Sequence, residues 1–236
     1  MIIDFHSHIL PGIDDGSADV QESIAMLRME AEQGITHVIA TPHFYAHSDS
    51  PGHFLAKREK AEILLREEMA KQEGLPQVSI GAEVYYFPGI SDSEIISQLT
   101  INGESYILLE MPQSPWTDRM YREMADIRKK QGIIPIIAHV DRYISPFRTH
   151  HIPERLAELP VLVQANASFF LRGSTRRMAL KMLKKNQIHL LGSDCHNMRN
   201  RPPMLGPALE QIRKNLGDAA IERVVQFQQN VFGNPI

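Results

Sequence analysis

The most constraining feature of this chain is a regular alternation of short apolar runs with longer amphipathic runs. The apolar runs have the length and β-branched content of buried strands, and they are Ile2–Phe5, His37–Thr41, Val78–Glu83, Tyr106–Glu110, Ile133–His139, Val161–Ala165 and His189–Ser193. The amphipathic runs have helical spacing, and they are Asp19–Gln33, Phe54–Glu73, Ser91–Leu99, Asp118–Gln131, Pro153–Leu159, Ser174–Asn186, Met204–Asn215 and Asp218–Gln229. Strands that alternate with helices pair in parallel, which predicts an α/β fold, either a closed barrel or an open doubly wound sheet.

Two observations favour the barrel. Polar side chains capable of chemistry follow nearly every predicted strand, and a barrel gathers all its carboxyl strand ends around one mouth. An open sheet would concentrate them at a single switch point, and no glycine-rich dinucleotide or phosphate loop is present in the sequence. No linker or low-complexity stretch interrupts the series, so we predict a single domain over residues 1–236.

Composition excludes several classes of function. A net charge of −3 gives no electrostatic argument for nucleic acid or membrane surfaces. One cysteine excludes an internal disulfide and a thiolate-rich metal site. No signal-peptide pattern is visible, and the longest apolar stretch, Ile133–Val140, is too short to cross a bilayer. We therefore expect a cytoplasmic protein without membrane insertion.

The predicted strand ends carry candidate metal ligands. The first strand ends in His6 and His8, which share a face because side chains two apart on an extended chain point the same way. A histidine or carboxylate at one strand end has an ordinary explanation as a surface residue, but recurrence at nearly every strand end does not. The full candidate set is His6, His8, Asp14 or Asp15, His43, Glu83, Glu110, His139, Asp194 and His196. The remaining histidines lie at strand starts or in loops and are assigned no metal role by default, with His47 and His53 placed in a loop that could lie near the mouth.

Charge indicates what such a set binds. Its carboxylates could not be buried together without cations. With a bridging carboxylate, the set holds up to three divalent ions and becomes net positive, which suits a phosphate dianion. Nitrogen and oxygen ligands without thiolate suit manganese, iron or zinc and do not distinguish them.

These motifs resemble the PHP (polymerase and histidinol phosphatase) family of metal-dependent phosphoesterases. The matching motifs, in the family's order, are His6-Ser7-His8, Asp15-Gly16, Thr41-Pro42-His43, Glu83, Glu110, Ala138-His139 with Arg142, and Ser193-Asp194 with His196. The segments 6–16 and 81–86 are similar to the manganese-dependent protein-tyrosine phosphatases of bacterial capsule and exopolysaccharide loci, the CpsB/CapC/YwqE type. The resemblance implies a distorted (β/α)7 TIM-like barrel.

The resemblance also implies three divalent metal ions, expected to be Mn²⁺, with Fe or Zn as alternatives. The ligands that it implies for the first ion are His6, His8, Glu83 and Asp194. The second shares Glu83 and adds Glu110 and His139. The third has Asp15, His43 and His196, with Asp14 as the alternative to Asp15.

Two arginines match family residues that contact the phosphate, Arg142 and Arg201, with Arg199 competing for the second role. The group that protonates the leaving phenolate stays open, with His43 and a metal-bound water as the candidates. The implied partner is a phosphotyrosine protein, the tyrosine-rich tail of a bacterial tyrosine autokinase that governs polysaccharide export. A small phosphomonoester such as histidinol phosphate is the alternative substrate, and a metal-stabilised binding module is an alternative without catalysis. The oligomeric state stays open.

Two further patterns bear on mechanism and substrate. Cys195 and Arg201 satisfy the C-x5-R spacing of thiolate phosphatases, but no glycine lies between them to wrap amides around a phosphate. Cys195 alternates with Asp194 and His196, so we expect it to face away from them. Aromatic side chains in two mouth loops are expected to stack on a phosphotyrosine ring, and they are Tyr85, Tyr86, Phe87 and Trp116.

Overall fold

Parallel strands form the centre of the computed structural model, which describes residues 1–144 and 150–233. The strands are β1 (Ile3–Ser7), β2 (His37–Ala40), β3 (His43–Phe44), β4 (Gln77–Ile80), β5 (Glu83–Tyr85), β6 (Tyr106–Glu110), β7 (Ile134–Ile137), β8 (Leu162–Asn166) and β9 (Leu190–Gly192). Their order is β1-β2-β4 in one sheet and β3-β5-β6-β7-β8-β9 in the other, with every pairing parallel. Residues 145–149 and 234–236 of the predicted domain lie outside the described residues.

Helices follow most strands. They are α1 (Val20–Glu32), α2 (Pro51–Met69), α3 (Asp118–Gln131), α4 (Asp141–Ile144), α5 (Ile152–Ala157), α6 (Ala167–Leu171), α7 (Gly173–Lys184), α8 (Leu205–Leu216) and α9 (Asp218–Gly233). The predicted Asp118–Gln131 helix has the observed bounds, because Thr117 caps its first turn and Gly132 ends it at φ +71°. Among the helices of the described ranges, none has the length and apolarity needed to cross a bilayer.

The two sheets join into one curled wall. Strand β2 continues into β3, and β4 into β5, with hydrogen bonds across both interruptions: Gly81 N–H donates to the Ala40 carbonyl at 2.8 Å and Glu83 N–H to the Pro42 carbonyl at 2.9 Å. The predicted strand Val78–Glu83 is therefore two strands in one line. At the other edge, Asp194 N–H donates to the His6 carbonyl at 2.8 Å, which seats the end of β9 on β1. The predicted barrel is the observed architecture.

The barrel is distorted between β4 and β6. Here a 3₁₀ turn over Ile101–Gly103 intervenes, and the Asn102 side chain accepts the Ile80 N–H at 3.2 Å. The predicted helix Ser91–Leu99 is wrong, since the segment forms 3₁₀ turns over Ile90–Asp92 and Glu94–Gln98. The Gln131 side chain donates to the carbonyls of Ser91 and Ser93, at 2.8 and 3.3 Å, and draws them away from a helical hydrogen-bond ladder.

A register shift in β1 places the site above the inner core. The pairing of β1 with β2 slips between Asp4 and Ser7, as in a β-bulge. Phe5 therefore packs among the apolar side chains of the barrel interior, with Val231 of α9 in the same cluster. His6 lies next along the chain and still faces inward, toward His8 and Glu83. Apolar burial thus fills one end of the barrel, and polar ligands occupy the other.

Candidate metal centre

Predicted ligands from both ends of the chain converge inside the mouth of the barrel, where the carboxyl ends of the strands meet. The buried imidazoles of His6 and His8 have Nε2 atoms 3.1 Å apart. Glu83 Oε2 lies 3.2 Å from the His6 nitrogen and 3.3 Å from the His8 nitrogen. Asp194 Oδ1 lies 3.5 and 3.6 Å from the same two nitrogens. Two imidazoles and two carboxylates therefore face one point.

His139 and Glu110 lie on the opposite side of Glu83. The Nε2 atom of His139, just past β7, is 2.7 Å from Glu83 Oε1 and 3.5 Å from Glu110 Oε1. Glu83 thus directs one oxygen toward His6 and His8 and the other toward His139. This placement suits a carboxylate shared by two ions.

The first loop distinguishes its two aspartates. Asp14 uses both oxygens within the protein: Oδ2 accepts from His8 Nδ1 at 2.8 Å and from His43 N–H at 2.9 Å, and Oδ1 accepts from Gly16 N–H. Asp15 is 67% exposed and points Oδ1 at the Nε2 atoms of His43 and His196, each at 3.5 Å. A carboxylate behind a histidine orients the ring for metal binding, which is the geometry of Asp14. Asp15 has the geometry of a ligand.

The glycine of this loop is required by close packing. A Cβ at Gly16 would lie 2.3 Å from the His8 carbonyl oxygen and 2.5 Å from the His8 Cβ. Any side chain there would displace His8. The Asp-Gly pair of the sequence motif therefore reflects the tight return of the loop onto β1.

The residues fit divalent metal ions. Within the described ranges, Glu83 Oε2, Glu110 Oε2 and His196 Nε2 are buried and make no hydrogen bond, although such atoms are costly to leave without partners. Their neighbours are other candidate ligand atoms, an arrangement that suits a bound cation. The metal-compatible groups at the mouth are His6, His8 and Asp194; His43, Glu83 and Glu110; and His8, Asp15, His43 and His196.

Burial and mutual charge separate the pKa values of the site. Burial, with Glu83 opposite, raises the pKa of Glu110 to about 7. Burial and the charge of His8 lower the pKa of His196 to about 3. Burial alone would lower the pKa of His8, but its hydrogen bonds to Asp14 and Glu83 raise it to about 10. Such divergence within one cleft is typical of functional sites.

The two predicted arginines meet on one carboxylate. Arg142 Nη2 lies 2.5 Å from Asp194 Oδ2, and Arg201 Nη2 lies 2.7 Å from Asp194 Oδ1. Arg142 Nη1 also lies 3.6 Å from Glu110. Arg199 is exposed, so Arg201 is the arginine of this loop that faces the mouth.

Strand β8 supplies two positioning residues that the sequence analysis missed. Gln164 Oε1 accepts the His139 N–H at 2.6 Å and lies 3.3 Å from His6 Nδ1. Asn166 Nδ2 donates to Asp194 Oδ2 at 2.8 Å. The available signal was a pair of amides two apart at the end of an otherwise apolar strand.

Cys195 lies outside the mouth. Its side chain is fully buried within 4.8 Å of carboxylate oxygens of Asp4 and Glu30. Burial, with the charge of Glu30, raises the pKa of the thiol well above its ordinary value. A nucleophilic cysteine needs the opposite environment, so the expectation that Cys195 faces away from the site agrees with the geometry.

The predicted aromatic wall is wrong in part. Tyr86 is buried and donates its hydroxyl to Glu123 at 2.7 Å. Trp116 is 4% exposed and packs on Tyr143 with ring centres 4.9 Å apart. Phe87 packs on the hydrophobic core. Tyr85 is half-buried, and its ring lies 5.6 Å from that of Tyr45, which the sequence analysis did not single out.

Several known proteins are similar to this chain in sequence. The chain is 31% identical to the tyrosine-protein phosphatase YwqE of Bacillus subtilis strain 168 over 223 residues, covering 92% of this chain and 85% of that protein. It is 30% identical to the putative tyrosine-protein phosphatase CapC of Staphylococcus aureus over 214 residues, covering 86% and 80%.

A solved structure extends the likeness to three dimensions. It comes from work on YwqE of Bacillus subtilis and CpsB of Streptococcus pneumoniae, described as unique metal-dependent tyrosine phosphatases. It matches with a TM-score of 0.87 and 26% identity over 100% of this chain and 96% of that one. The profile of the family described as capsular polysaccharide synthesis, CpsB/CapC, matches residues 2–231, and the chain therefore belongs to the CpsB/CapC family.

Proposed function

We propose that this chain is a metal-dependent protein-tyrosine phosphatase, built as a single domain over residues 1–236. The observation that carries the proposal is the convergence of histidines, carboxylates and two arginines at one mouth. The relatives named tyrosine-protein phosphatases support the choice of substrate class. The proposed ligands are His6, His8, Asp15, His43, Glu83, Glu110, His139, Asp194 and His196.

We assign three divalent ions to these ligands, expected to be Mn²⁺. When bound, such ions neutralise phosphoryl oxygens and lower the pKa of water. Glu83 is the proposed shared ligand, because its two oxygens face different groups of partners. Asp14 and Gln164 hold the rings of His8 and His6 in their binding orientation.

Arg142 and Arg201 are the proposed phosphate-binding residues. Both reach the mouth from one side and converge on Asp194. A guanidinium presents a planar fork of donors that matches phosphoryl oxygens. Together they orient the phosphoryl group and stabilise the charge that develops on it.

His43 has two proposed roles, as a metal ligand and as the proton donor to the leaving phenolate. One nitrogen cannot serve in both. Its Nδ1 lies 3.1 Å from Glu83 and its Nε2 lies 3.5 Å from Asp15, so both nitrogens face proposed ligands. This favours metal binding. Proton donation to the leaving phenolate would require one nitrogen free of metal.

The proposed partner is the phosphotyrosine tail of a bacterial tyrosine autokinase that controls capsule or exopolysaccharide synthesis. The description of the family as capsular polysaccharide synthesis supports this partner. Because a tyrosine kinase consumes ATP, we place the reaction in the cytoplasm.

The first test is chelation followed by metal replacement. We expect chelation to abolish hydrolysis of phosphotyrosine peptides, because the nitrogen and oxygen ligands are proposed to hold the ions that the reaction needs. Mn²⁺ should restore more activity than Zn²⁺ or Fe²⁺, as the resemblance to manganese-dependent phosphatases implies. Elemental analysis measures the ions bound at each stage. Full activity in protein shown to be metal-free would contradict the mechanism.

The second test compares substrates on the metal-loaded enzyme. We expect kcat/KM to be higher for phosphotyrosine peptides than for phosphoserine peptides or histidinol phosphate. A preference for histidinol phosphate by an order of magnitude would assign the chain to small phosphomonoesters instead. Loaded protein inactive on all of them would favour a binding module.

A further inference from the structure

A cavity opens beside the candidate metal centre, on the side of the two arginines. It has a volume of about 400 Å³, within the range of small-molecule sites and larger than one phosphoryl group needs. The wall nearest the centre is formed by Arg142, Asp194 and Arg201. The wall farther away is formed by Arg172 at the junction of α6 with α7 and by Met204 before α8.

Arg172 is the uncompensated charge of this cavity. Within residues 1–144 and 150–233, no hydrogen bond or ion pair holds its exposed side chain. Asp194 is already paired with Arg142 and Arg201. Asp141 also lines the cavity, but its Oδ1 accepts the Asn166 N–H at 3.0 Å. The far wall therefore presents a guanidinium that is available to a ligand.

The rest of the lining suits a side chain that carries an anion. Leu171, Pro202 and Met204 supply apolar surface, and Ser168 and Asn200 supply neutral polar groups. An acidic residue of a peptide has this composition, with a short apolar stem and a charged end. A basic residue would meet three arginines in the lining, whose two aspartates already have partners.

We propose that this cavity is a second anion subsite, in which Arg172 binds an acidic group adjacent to the phosphotyrosine that is hydrolysed. The anion is a carboxylate or a second phosphoryl group of the same peptide, since both match a guanidinium. The subsite rests on the proposed function for the phosphotyrosine that occupies the centre. It assigns to the junction of α6 and α7 the selection of acidic or multiply phosphorylated segments.

The test is a selectivity ratio rather than an activity. Phosphotyrosine peptides that differ only in flanking residues (glutamate, a second phosphotyrosine, glutamine or lysine) are assayed with wild type, Arg172→Gln and Arg177→Gln. Arg177 is the matched control, since it is exposed on α7 and does not line the cavity. We expect Arg172→Gln to reduce the preference for glutamate over glutamine about fivefold to tenfold through KM. Arg177→Gln should leave that ratio unchanged.

Charge reversal and a binding arm make the outcome decisive. Arg172→Glu should favour the lysine-flanked peptide over the glutamate-flanked one. If the preference for glutamate or for a second phosphotyrosine falls when Arg172 is replaced, the subsite stands. The flanking group whose preference falls more is the anion that the subsite prefers. An unchanged ratio in both Arg172 variants overturns the subsite, even with full phosphotyrosine hydrolysis.

The binding arm uses peptides with a non-hydrolysable phosphonate in place of phosphotyrosine, followed by fluorescence anisotropy. Binding that depends on Arg172 and on the flanking acid supports the subsite even if no hydrolysis occurs. In that case the proposed function fails and the subsite stands. Binding that ignores the flanking residue overturns the subsite independently of catalysis.

Discussion

Two clusters of buried carboxylates lie on opposite sides of the same strand, and only one is surrounded by bases. In the candidate metal centre, Glu83 and Asp194 face histidines and arginines. On the other side of β1, Asp4 and Glu30 of α1 are each fully buried. Among the described residues, the neighbours of this Asp4–Glu30 pair are the side chains of Ser193 and Cys195, just past β9, and backbone N–H groups. None of these neighbours is a cationic side chain.

The two clusters show two ways to bury acidic groups. Burial alone would raise the pKa of Glu83, but His6 and His139 hold it well below its ordinary range. In the Asp4–Glu30 pair, burial raises the pKa of both groups, which favours the protonated form of a carboxyl. A buried carboxyl next to bases stays ionised and suits a metal ion, whereas a buried carboxyl without them favours a bound proton.

The Asp4 carboxyl also holds the backbone on which two candidate ligands, His6 and Asp194, are placed. Asp4 Oδ1 accepts the N–H groups of His6, at 3.1 Å, and of Ser193, at 2.8 Å. It thereby satisfies the amide at the register shift of β1 and ties that strand to the end of β9. Glu30 lies beside Asp4, and the raised pKa of both groups predicts that the two carboxyls share a proton.

The largest effect is expected at Glu83. Glu83→Ala should lower kcat/KM on a phosphotyrosine peptide by about 10³-fold or more, because each of the two proposed ions that share Glu83 would lose a ligand. Weaker binding of these ions would remove several kcal/mol of stabilisation from the charge of the transition state. Asp15→Ala should lower it less, because one ion loses a ligand that is largely exposed. Steady-state kinetics with metal content measured in parallel checks both. Equal losses of activity and metal in the two variants would contradict the shared role of Glu83.

A smaller effect is expected at Glu30, on stability. Glu30→Gln keeps a donor for Asp4 and should change the free energy of unfolding by less than about 1 kcal/mol. Glu30→Ala removes the donor and leaves a void, which should cost about 2–4 kcal/mol. Urea unfolding of the metal-free proteins measures the difference. Glu30→Gln as damaging as Glu30→Ala would mean that the pair is ionised and holds a cation.

The Asp4–Glu30 pair also predicts how the free energy of unfolding changes with pH. A carboxyl whose pKa is raised on folding binds more protons folded than unfolded, so its contribution to stability falls as the pH rises above the unfolded value, about 4.5. The stability of wild type relative to Glu30→Gln should therefore decline from mildly acidic to alkaline pH. A constant difference across that range would contradict a shared proton.

The smallest effect is expected at Cys195. Cys195→Ser should keep most of the phosphatase activity, since the thiol packs beside the Asp4–Glu30 pair and not in the mouth. Trapping of a phosphocysteine, or loss of activity by several orders of magnitude in the folded variant, would restore the thiolate mechanism. Near-ultraviolet circular dichroism distinguishes loss of packing from loss of chemistry.

The candidate ligands could be predicted from the sequence more fully than the side chains and loops that surround them. Candidate ligands such as Glu110 and His139 lie at the ends of apolar runs, so a parallel fold brings them together whatever the details of packing. The amides of β8 were missed because polar residues in a strand have no signature until their partners are known. The helix over Ser91–Leu99 failed because Gln131, distant in sequence, binds its carbonyls. Such contacts depend on tertiary structure and leave no local pattern.

The join between β1 and β9 has a consequence for synthesis on the ribosome. Gln228 of α9 donates to the carbonyls of Ile3 and Leu191, at 3.3 and 3.4 Å, and so bridges the two strands. Asp4 and Ser193, bonded across the same join, are 189 positions apart. At about 5–20 residues per second, roughly 10–40 s separate the emergence of the two. His6 and His8 are therefore translated long before Asp194. The nascent chain carries the full set of proposed metal ligands only after most of the barrel has been translated.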